Sequence, residues 1–163
     1  KRPFTSVEEF ISSANTILNR RKSRAGKSLE YHLEEIFNSF NIRFSSQQIT
    51  EGKKKPDFIF PSIESYHDRK FETDKLIFLA SKTTCKDRWR QILNEADRIR
   101  IKHLFTLQQG ISKNQLKEMY DHGVRLVVPK PYINSFPKEF RPRISSVDSF
   151  LQLINSSVTS SLQ

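Results

Sequence analysis

The chain has 163 residues, enough for one domain with a substantial hydrophobic core. Its formal net charge is +10, and the sequence pI is about 9.9. Such a basic surplus favours a polyanionic partner, and the mixed, non-repetitive sequence argues against a disordered basic tail. Charge alone neither separates DNA from RNA nor excludes a basic surface without a ligand.

A single cysteine, Cys85, excludes an internal disulfide, and nothing in the sequence indicates secretion. No segment approaches the roughly 20 apolar residues of a membrane-spanning helix, so we expect no membrane partner. The first residues lack both a methionine and an apolar signal region, which is typical of a fragment or a processed product. From the sequence, the full-length protein could have an effector domain before this chain.

Two amphipathic helices are predicted at the N-terminus. Apolar residues recur at helical spacing over residues 6–20 and again over residues 26–40, where the apolar face consists of Leu29, Leu33, Ile36, Phe37 and Phe40. A basic connector around Gly26, which includes Arg24 and Lys27, separates the two helices. We therefore expect residues 1–25 to form an N-terminal helix and connector of a single domain that ends in a frayed tail at residues 157–163.

Strands and helices alternate in the rest of the chain. Apolar runs bounded by turn residues predict strands at residues 42–49, 57–61, 76–84, 103–107 and 124–128. Helical spacing predicts further helices at residues 87–100, 112–122 and 146–156, and polar segments predict loops at residues 62–74 and 131–143. Such alternation needs crossover connections, so the predicted fold class is α/β, with a central mixed β-sheet flanked by helices.

Two carboxylates and a lysine are placed where they can serve phosphodiester hydrolysis. Asp57 starts one predicted strand, Lys82 ends another, and Glu95 lies on the helix that follows. If the two strands are neighbours, Asp57 and Lys82 meet at one sheet edge, where carboxylates can hold a divalent metal beside a phosphate. On an α-helix, Glu95 shares a face with Arg88 and Gln91. The alternative is ordinary, with Glu95 in a solvated ion pair and Asp57 as a strand start.

This order of residues resembles the PD-(D/E)XK nucleases. The family signature is matched by Pro56-Asp57, by the strand end Ala80-Ser81-Lys82 and by Glu95. Ala80 stands where an acidic residue is usual, and the chain is similar to the subgroup in which this carboxylate has moved to the following helix. Over most of the chain the sequence closely resembles the catalytic domain of EcoRII-type restriction endonucleases, at residues 22–30, 49–52, 54–57, 83–97 and 123–129.

The resemblance implies a restriction-endonuclease-like fold and a role for each matching residue. Asp57 and Glu95 would hold Mg²⁺, helped by a backbone carbonyl near Ser81. Lys82 would orient the attacking water and stabilise developing negative charge. Glu30 would be an accessory acid, although a solvated helix glutamate is an equal alternative. Products would carry 5′-phosphate and 3′-hydroxyl ends.

A basic-acidic-basic triplet, Lys86-Asp87-Arg88, stands where relatives read adjacent G·C pairs. The chemistry fits, because lysine or arginine donates to guanine O6 and N7, and aspartate accepts from cytosine N4. The alternative is a basic face that contacts phosphates only and carries no sequence choice. The other basic residues expected at the DNA are Arg90, Arg24, Lys27 and Lys54.

EcoRII-type enzymes recognise CC(A/T)GG and cut before the first cytosine. The resemblance therefore implies a Mg²⁺-dependent type II site-specific deoxyribonuclease that acts on double-stranded DNA in a bacterial or archaeal cytoplasm. A near-palindromic site suggests a two-fold homodimer in which each subunit cuts one strand.

Two other classes stay open from the sequence. Ala80 motivates a degenerate nuclease that is retained as a non-catalytic DNA-binding module. A structure-specific repair nuclease would instead cut branched DNA without a sequence requirement. Tyr66 and His67 lie in a polar loop that could approach DNA, and Tyr66 could act as a nucleophile. A metal site explains the two carboxylates and the lysine better.

Overall fold

The computed structural model describes residues 7–159, which contain a six-stranded sheet with its strands in sequence order. The strands are β1 (Ser45–Ser46), β2 (Phe58–Phe60), β3 (Ile77–Lys82), β4 (Lys102–Thr106), β5 (Val124–Val128) and β6 (Ser145–Ser146). β1 to β3 pair antiparallel, whereas β3 to β6 run parallel. The predicted α/β class with a mixed sheet is confirmed. The first residue of the predicted N-terminal helix and the predicted tail after residue 159 lie outside the described residues.

The N-terminal region forms one helix, α1 (Val7–Ser39), so the predicted connector is wrong. Lysine and arginine are good helix formers, no proline interrupts these residues, and Gly26 alone costs only about 1 kcal/mol in a helix. The second half of α1 packs against the sheet through the buried Leu33 and Phe37, while residues 15–25 are all exposed. Phe40, predicted to be buried, is 59% exposed beyond the end of the helix.

Three further α-helices are α2 (Ile63–His67), α3 (Lys113–Asp121) and α4 (Val147–Thr159). α2 lies in a predicted loop, and it begins where the Ser62 hydroxyl accepts a hydrogen bond from the Ser65 backbone N–H. α4 extends to Thr159, so the described part of the predicted frayed tail is helical. Between residues 7 and 159, no helix is long and apolar enough to cross a membrane.

The segment after β3 is a 3-10 helix, Lys86–Asn94, where the spacing predicts an α-helix that reaches residue 100. The helix ends early because the residues after Asn94 bond to other elements. The Arg98 guanidinium donates to the carbonyls of Tyr66 and Asp68, at 2.5 and 2.8 Å. Trp89 and Ile92 are buried within this helix, since a step of three also suits a 3-10 helix, and Ala96 and Ile99 are buried beyond its end. Leu93, also predicted to be buried, is only partly buried.

Two apolar layers cover the two faces of the sheet. Alternate residues of β3 enter different layers, Phe78 and Ala80 one layer and Ile77 and Leu79 the other. The 3-10 helix and α3 cover the first layer, and α1 and α4 cover the second. Because β3 is buried on both faces, its polar end at Lys82 has a fixed position at the edge of a rigid sheet.

Gly123 ends the turn between α3 and β5 with a φ of +81°, a region that residues with side chains rarely adopt. A Cβ there would lie 3.0 Å from the Arg100 carbonyl oxygen. We expect Gly123→Ala to lower the free energy of unfolding by about 1–3 kcal/mol, measured by urea denaturation. Gly26→Ala, in open space within α1, should raise it by about 0.5–1 kcal/mol. A Gly123→Ala protein as stable as the parent would contradict this interpretation.

Candidate active site

Asp57 lies directly before β2 and is only 7% exposed. Its Oδ2 accepts a hydrogen bond from the Ser81 backbone N–H at 2.8 Å, and its Oδ1 accepts one from Gln47 Nε2 at 2.9 Å. The antiparallel pairing of β2 with β3 places Asp57 beside the last residues of β3. The Asp57 carboxylate is therefore held by hydrogen bonds from the segment after β1 and from the end of β3.

Lys82 ends β3, and its Nζ lies 3.9 Å from Asp57 Oδ2. The structure thus brings together the aspartate and the lysine that the sequence places on separate strands. The Lys82 side chain is 24% exposed, which leaves its ammonium accessible to a ligand. Ser81 is buried and directs its backbone N–H, and its hydroxyl at 3.5 Å, towards Asp57. The predicted metal contact through the Ser81 carbonyl stays a prediction.

Glu30, on α1, reaches the same site through Gln47. Gln47 Nε2 donates to Glu30 Oε2 at 3.3 Å as well as to Asp57, so one amide group bridges the two carboxylates. Gln47 has a backbone φ of +52°, which turns the chain after β1 towards the site. Sequence reasoning missed Gln47, because nothing in the local pattern distinguishes it from the adjacent Gln48.

Glu95 lies one residue beyond the 3-10 helix in an extended conformation. The prediction that it shares an α-helical face with Arg88 and Gln91 is therefore wrong. Lys102, 3% exposed at the start of β4, donates its Nζ to the carbonyl of Glu95 and, at 2.6 Å, to that of Ala96. This buried ammonium fixes the backbone at Glu95. Nothing in the local sequence marks Lys102, which stands at a strand boundary where lysine is ordinary.

Position 80 does not suit the acidic residue that is usual in the predicted family signature. Ala80 is fully buried in the layer beneath the 3-10 helix, together with Cys85 and Trp89. A carboxylate at this position would be buried under those side chains without water. Glu95, one residue beyond the same 3-10 helix, is the acidic residue predicted for this role.

Burial and neighbouring charges shift the pKa values of the two glutamates in the same direction. Burial, followed by the negative charge of Asp57, raises the pKa of Glu30, and the same two causes raise the pKa of Glu95. The positive charge of Lys82 acts in the opposite direction on both. Repulsion between carboxylates favours a bound cation, and oxygen ligands suit a hard ion such as Mg²⁺. Among the described residues no three such side chains form a closed metal cage, and Mg²⁺ usually takes one or two carboxylates and water.

A polar network holds the backbone after Glu95. The Tyr66 hydroxyl donates to Glu51 Oε1 and accepts from the Arg98 backbone N–H at 3.2 Å. Glu51 Oε2 accepts from the Asp97 backbone N–H at 3.3 Å. Tyr66 is 4% exposed, and burial together with Glu51 raises the pKa of its hydroxyl. A buried, bonded phenol is a poor nucleophile, so this geometry favours a structural role for Tyr66.

The predicted base-reading triplet lies at the start of the 3-10 helix. Lys86, Asp87 and Arg88 are all exposed, whereas the next residue, Trp89, is buried and anchors the segment to the core. Arg90 pairs with Glu118 of α3 at 2.6 Å and with Asp87 at 3.4 Å. The side chains of the triplet are therefore exposed to solvent, while the buried Trp89 holds the segment against the core.

An open groove passes over Lys82 and joins α1 to the triplet. Its charged lining residues are Lys22, Lys27, Glu30, Lys82 and Arg88. Lys27 and Arg24, which the sequence places in a basic connector and expects at the DNA, are exposed on α1. Lys54 instead forms an ion pair with Asp97 at 3.1 Å, so its predicted DNA contact needs that pair to open.

The mixed sheet with helices on both faces has the α/β fold of restriction endonucleases. A solved structure described as metal-depleted Ecl18kI in complex with uncleaved, modified DNA matches it with a TM-score of 0.75 at 27% identity, covering 88% of this chain and 48% of that one. A second Ecl18kI complex, with uncleaved DNA, has the same TM-score at 24% identity. The chain belongs to the EcoRII C-terminal family, which matches residues 1–151.

Two curated relatives agree with this family. The chain is 55% identical over 152 residues to the type II restriction enzyme EcoRII of Escherichia coli, covering 93% of this chain and 38% of that protein. It is 28% identical over 170 residues to the type II restriction enzyme SsoII of Shigella sonnei, covering 92% of this chain and 54% of that protein. The resemblance found in the sequence is confirmed, and the chain spans only part of each relative.

We expect Tyr66→Phe to lower the free energy of unfolding by about 1–3 kcal/mol, because it leaves Glu51 and the Arg98 N–H without their partner. Tyr31→Phe, at a side chain that is 64% exposed, is the control and should change little. Urea denaturation measures both. Unchanged stability in Tyr66→Phe together with loss of DNA cleavage would support the nucleophile interpretation instead.

Proposed function

We propose that this chain is the catalytic domain of a type II restriction endonuclease that hydrolyses phosphodiester bonds in double-stranded DNA. The observation that carries the proposal is the convergence of Asp57 and Lys82 beneath a basic groove, with Glu30 and Glu95 close enough for their pKa values to respond to both. The 55% identity to a type II restriction enzyme supports it. The activity of the whole protein is part of the proposal, because the chain covers 38% of that relative.

We propose Mg²⁺ as the cofactor, held by Asp57 and Glu95 with the Ser81 carbonyl as a further ligand. When bound, the ion polarises the phosphate and lowers the pKa of its water. Asp57 is suited to this task because Ser81 and Gln47 already fix both of its oxygens. Lys102 and the network around Glu51 fix the chain at Glu95 in the same way.

Lys82 orients the attacking water and neutralises charge on the phosphate as it develops. The water oxygen bonds to phosphorus while the bond from phosphorus to the 3′ oxygen breaks, which leaves 5′-phosphate and 3′-hydroxyl ends. Glu30 is the accessory acid of this scheme, and Gln47 connects it to Asp57.

We propose that Lys86, Asp87 and Arg88 read the DNA sequence and that the recognised site is CC(A/T)GG. Exposure of all three side chains supports contact with base edges, since a lysine and an arginine can donate to guanine and Asp87 can accept from cytosine. Arg90, Arg24, Lys27 and Lys54 are proposed to contact the DNA around this triplet. Lys86 offers a base one compact ammonium group, whereas an arginine would offer two parallel N–H donors.

We propose that the domain acts as a two-fold homodimer, since a near-palindromic site is matched by a symmetric protein. The exposed half of α1 carries Ile17 and Leu18, which are 48% and 51% exposed and offer apolar surface for such a contact. The whole chain would be one nuclease domain. Both curated relatives are bacterial, which supports a bacterial cytoplasmic location.

Cleavage of a duplex that contains CC(A/T)GG, with Mg²⁺ present, tests the function directly. We expect cutting of this duplex and not of one with a substituted G·C pair. Lys82→Ala should lower the rate by about 10²–10³-fold, the typical loss when a donor to the developing charge is removed. Lys138→Ala, at an exposed lysine outside the groove, is the control and should cut normally.

Three other outcomes would redirect the assignment. Full activity in Lys82→Ala would sink the proposed mechanism. Specific binding without cutting would identify a non-catalytic DNA-binding module. Cutting of branched DNA without a sequence requirement would identify a structure-specific nuclease.

A further inference from the structure

The turn that leads from β3 into the base-reading triplet has an unusual backbone. Lys86 has a φ of +30°, a value that residues with side chains seldom adopt. Such a conformation persists only where surrounding contacts hold it. The side chains of the triplet are exposed, and hydrogen bonds from other elements reach the backbone around Lys86.

Two glutamines bond the backbone around this conformation, one at the residue before Lys86 and one at Lys86 itself. Gln108 Oε1 accepts a hydrogen bond from the Cys85 backbone N–H at 2.6 Å. Gln115 Nε2 donates to the Lys86 carbonyl oxygen at 2.7 Å. The chemistry fixes both amide orientations, because a backbone N–H only donates and a carbonyl only accepts. We name this pair the glutamine clamp.

The clamp comes from two elements that are distant in sequence. Gln108 follows β4, and its own backbone N–H donates to the Thr106 hydroxyl at 3.1 Å. Gln115 lies in the first turn of α3, the helix that also holds Arg90 through Glu118. The sheet and α3 thus define jointly where the triplet begins.

We propose that Gln108 and Gln115 are positioning residues for sequence recognition, which rests on the proposed function of the triplet. Contacts to base edges need side chains placed to within about 0.5 Å. The clamp supplies that precision for Lys86, Asp87 and Arg88 through its hydrogen bonds to the backbone around Lys86. It sets which duplexes are cut, while Asp57, Lys82 and Glu95 set how fast a bound phosphate is cut.

The two glutamines have opposite hydrogen-bonding roles, so the same substitution should affect them differently. Gln108→Glu keeps an acceptor for the Cys85 N–H and should retain discrimination. Gln115→Glu loses the donor and faces the Lys86 carbonyl with a carboxylate. We expect Gln115→Glu to reduce discrimination about tenfold, the low end of what one specific base contact contributes. Gln108→Leu, which lacks the acceptor, should show a similar loss.

The measurement is the ratio of kcat/KM for a CC(A/T)GG duplex to that for a duplex with one G·C pair replaced by A·T. Asn114→Asp, the same chemical change at the exposed position beside Gln115, controls for added negative charge. Thermal unfolding of each variant separates lost stability from lost discrimination, and Gln115→Ala replaces Gln115→Glu if the latter does not fold.

Unchanged discrimination in a folded Gln115→Glu protein would overturn the proposal, and so would equal effects of Gln108→Glu and Gln115→Glu. A parallel fall of activity on both duplexes would indicate a merely structural role and would also overturn it. Wild type that does not prefer the matched duplex would refute the proposed function itself. These results are distinguishable, because only the last concerns the unmodified protein.

Discussion

The hydrogen bond from the Ser81 N–H to the Asp57 carboxylate is the contact on which the site depends. It joins the start of β2 to the end of β3, and it places Lys82, the next residue, beside the same carboxylate oxygen. Burial of an unpaired carboxylate would cost several kcal/mol, so these donors are needed for the fold as well as for chemistry. The site is thereby built into the sheet, whose buried strands leave it little freedom.

The carboxylates around Asp57 repel one another, which opposes the stabilisation that these hydrogen bonds provide. Glu30 and Glu95 are both partly buried near Asp57, and each holds its proton more tightly because of it. Lys82 offsets only part of this effect at Glu30, and Lys82, Lys102 and Lys54 offset part of it at Glu95, whereas a divalent cation would offset more. Two side chains also hold the site in place: Gln47 donates to both Glu30 and Asp57, and Lys102 donates to the carbonyl of Glu95. A site that is charged and rigid before a ligand arrives is preorganised for an anionic phosphate and its metal.

The features that could be predicted from the sequence are those that depend on local residue patterns or on family motifs. The strands that carry Asp57 and Lys82, the mixed sheet and the family were all predicted, because periodicity and motif spacing are local. The single helix α1 was not predicted, because its middle residues suit either a helix or a connector. The early end of the 3-10 helix was not predicted either, because it depends on hydrogen bonds from Arg98 to distant carbonyls. Gln47 and the glutamine clamp were missed for the same reason, since each acts through a partner far away in sequence. Lys102 was missed although its partners are only six and seven residues away, because a lysine at a strand boundary is ordinary.

We propose that Asp57 and Glu95 bind one divalent metal at the end of β3. Anomalous diffraction from crystals of the Lys82→Ala protein with Mn²⁺ and a CC(A/T)GG duplex locates such a metal. We expect one metal peak at about 2.1 Å from an oxygen of each carboxylate, next to the phosphate before the first cytosine. A peak that contacts neither carboxylate, or a DNA complex with no metal at this edge of the sheet, would contradict it.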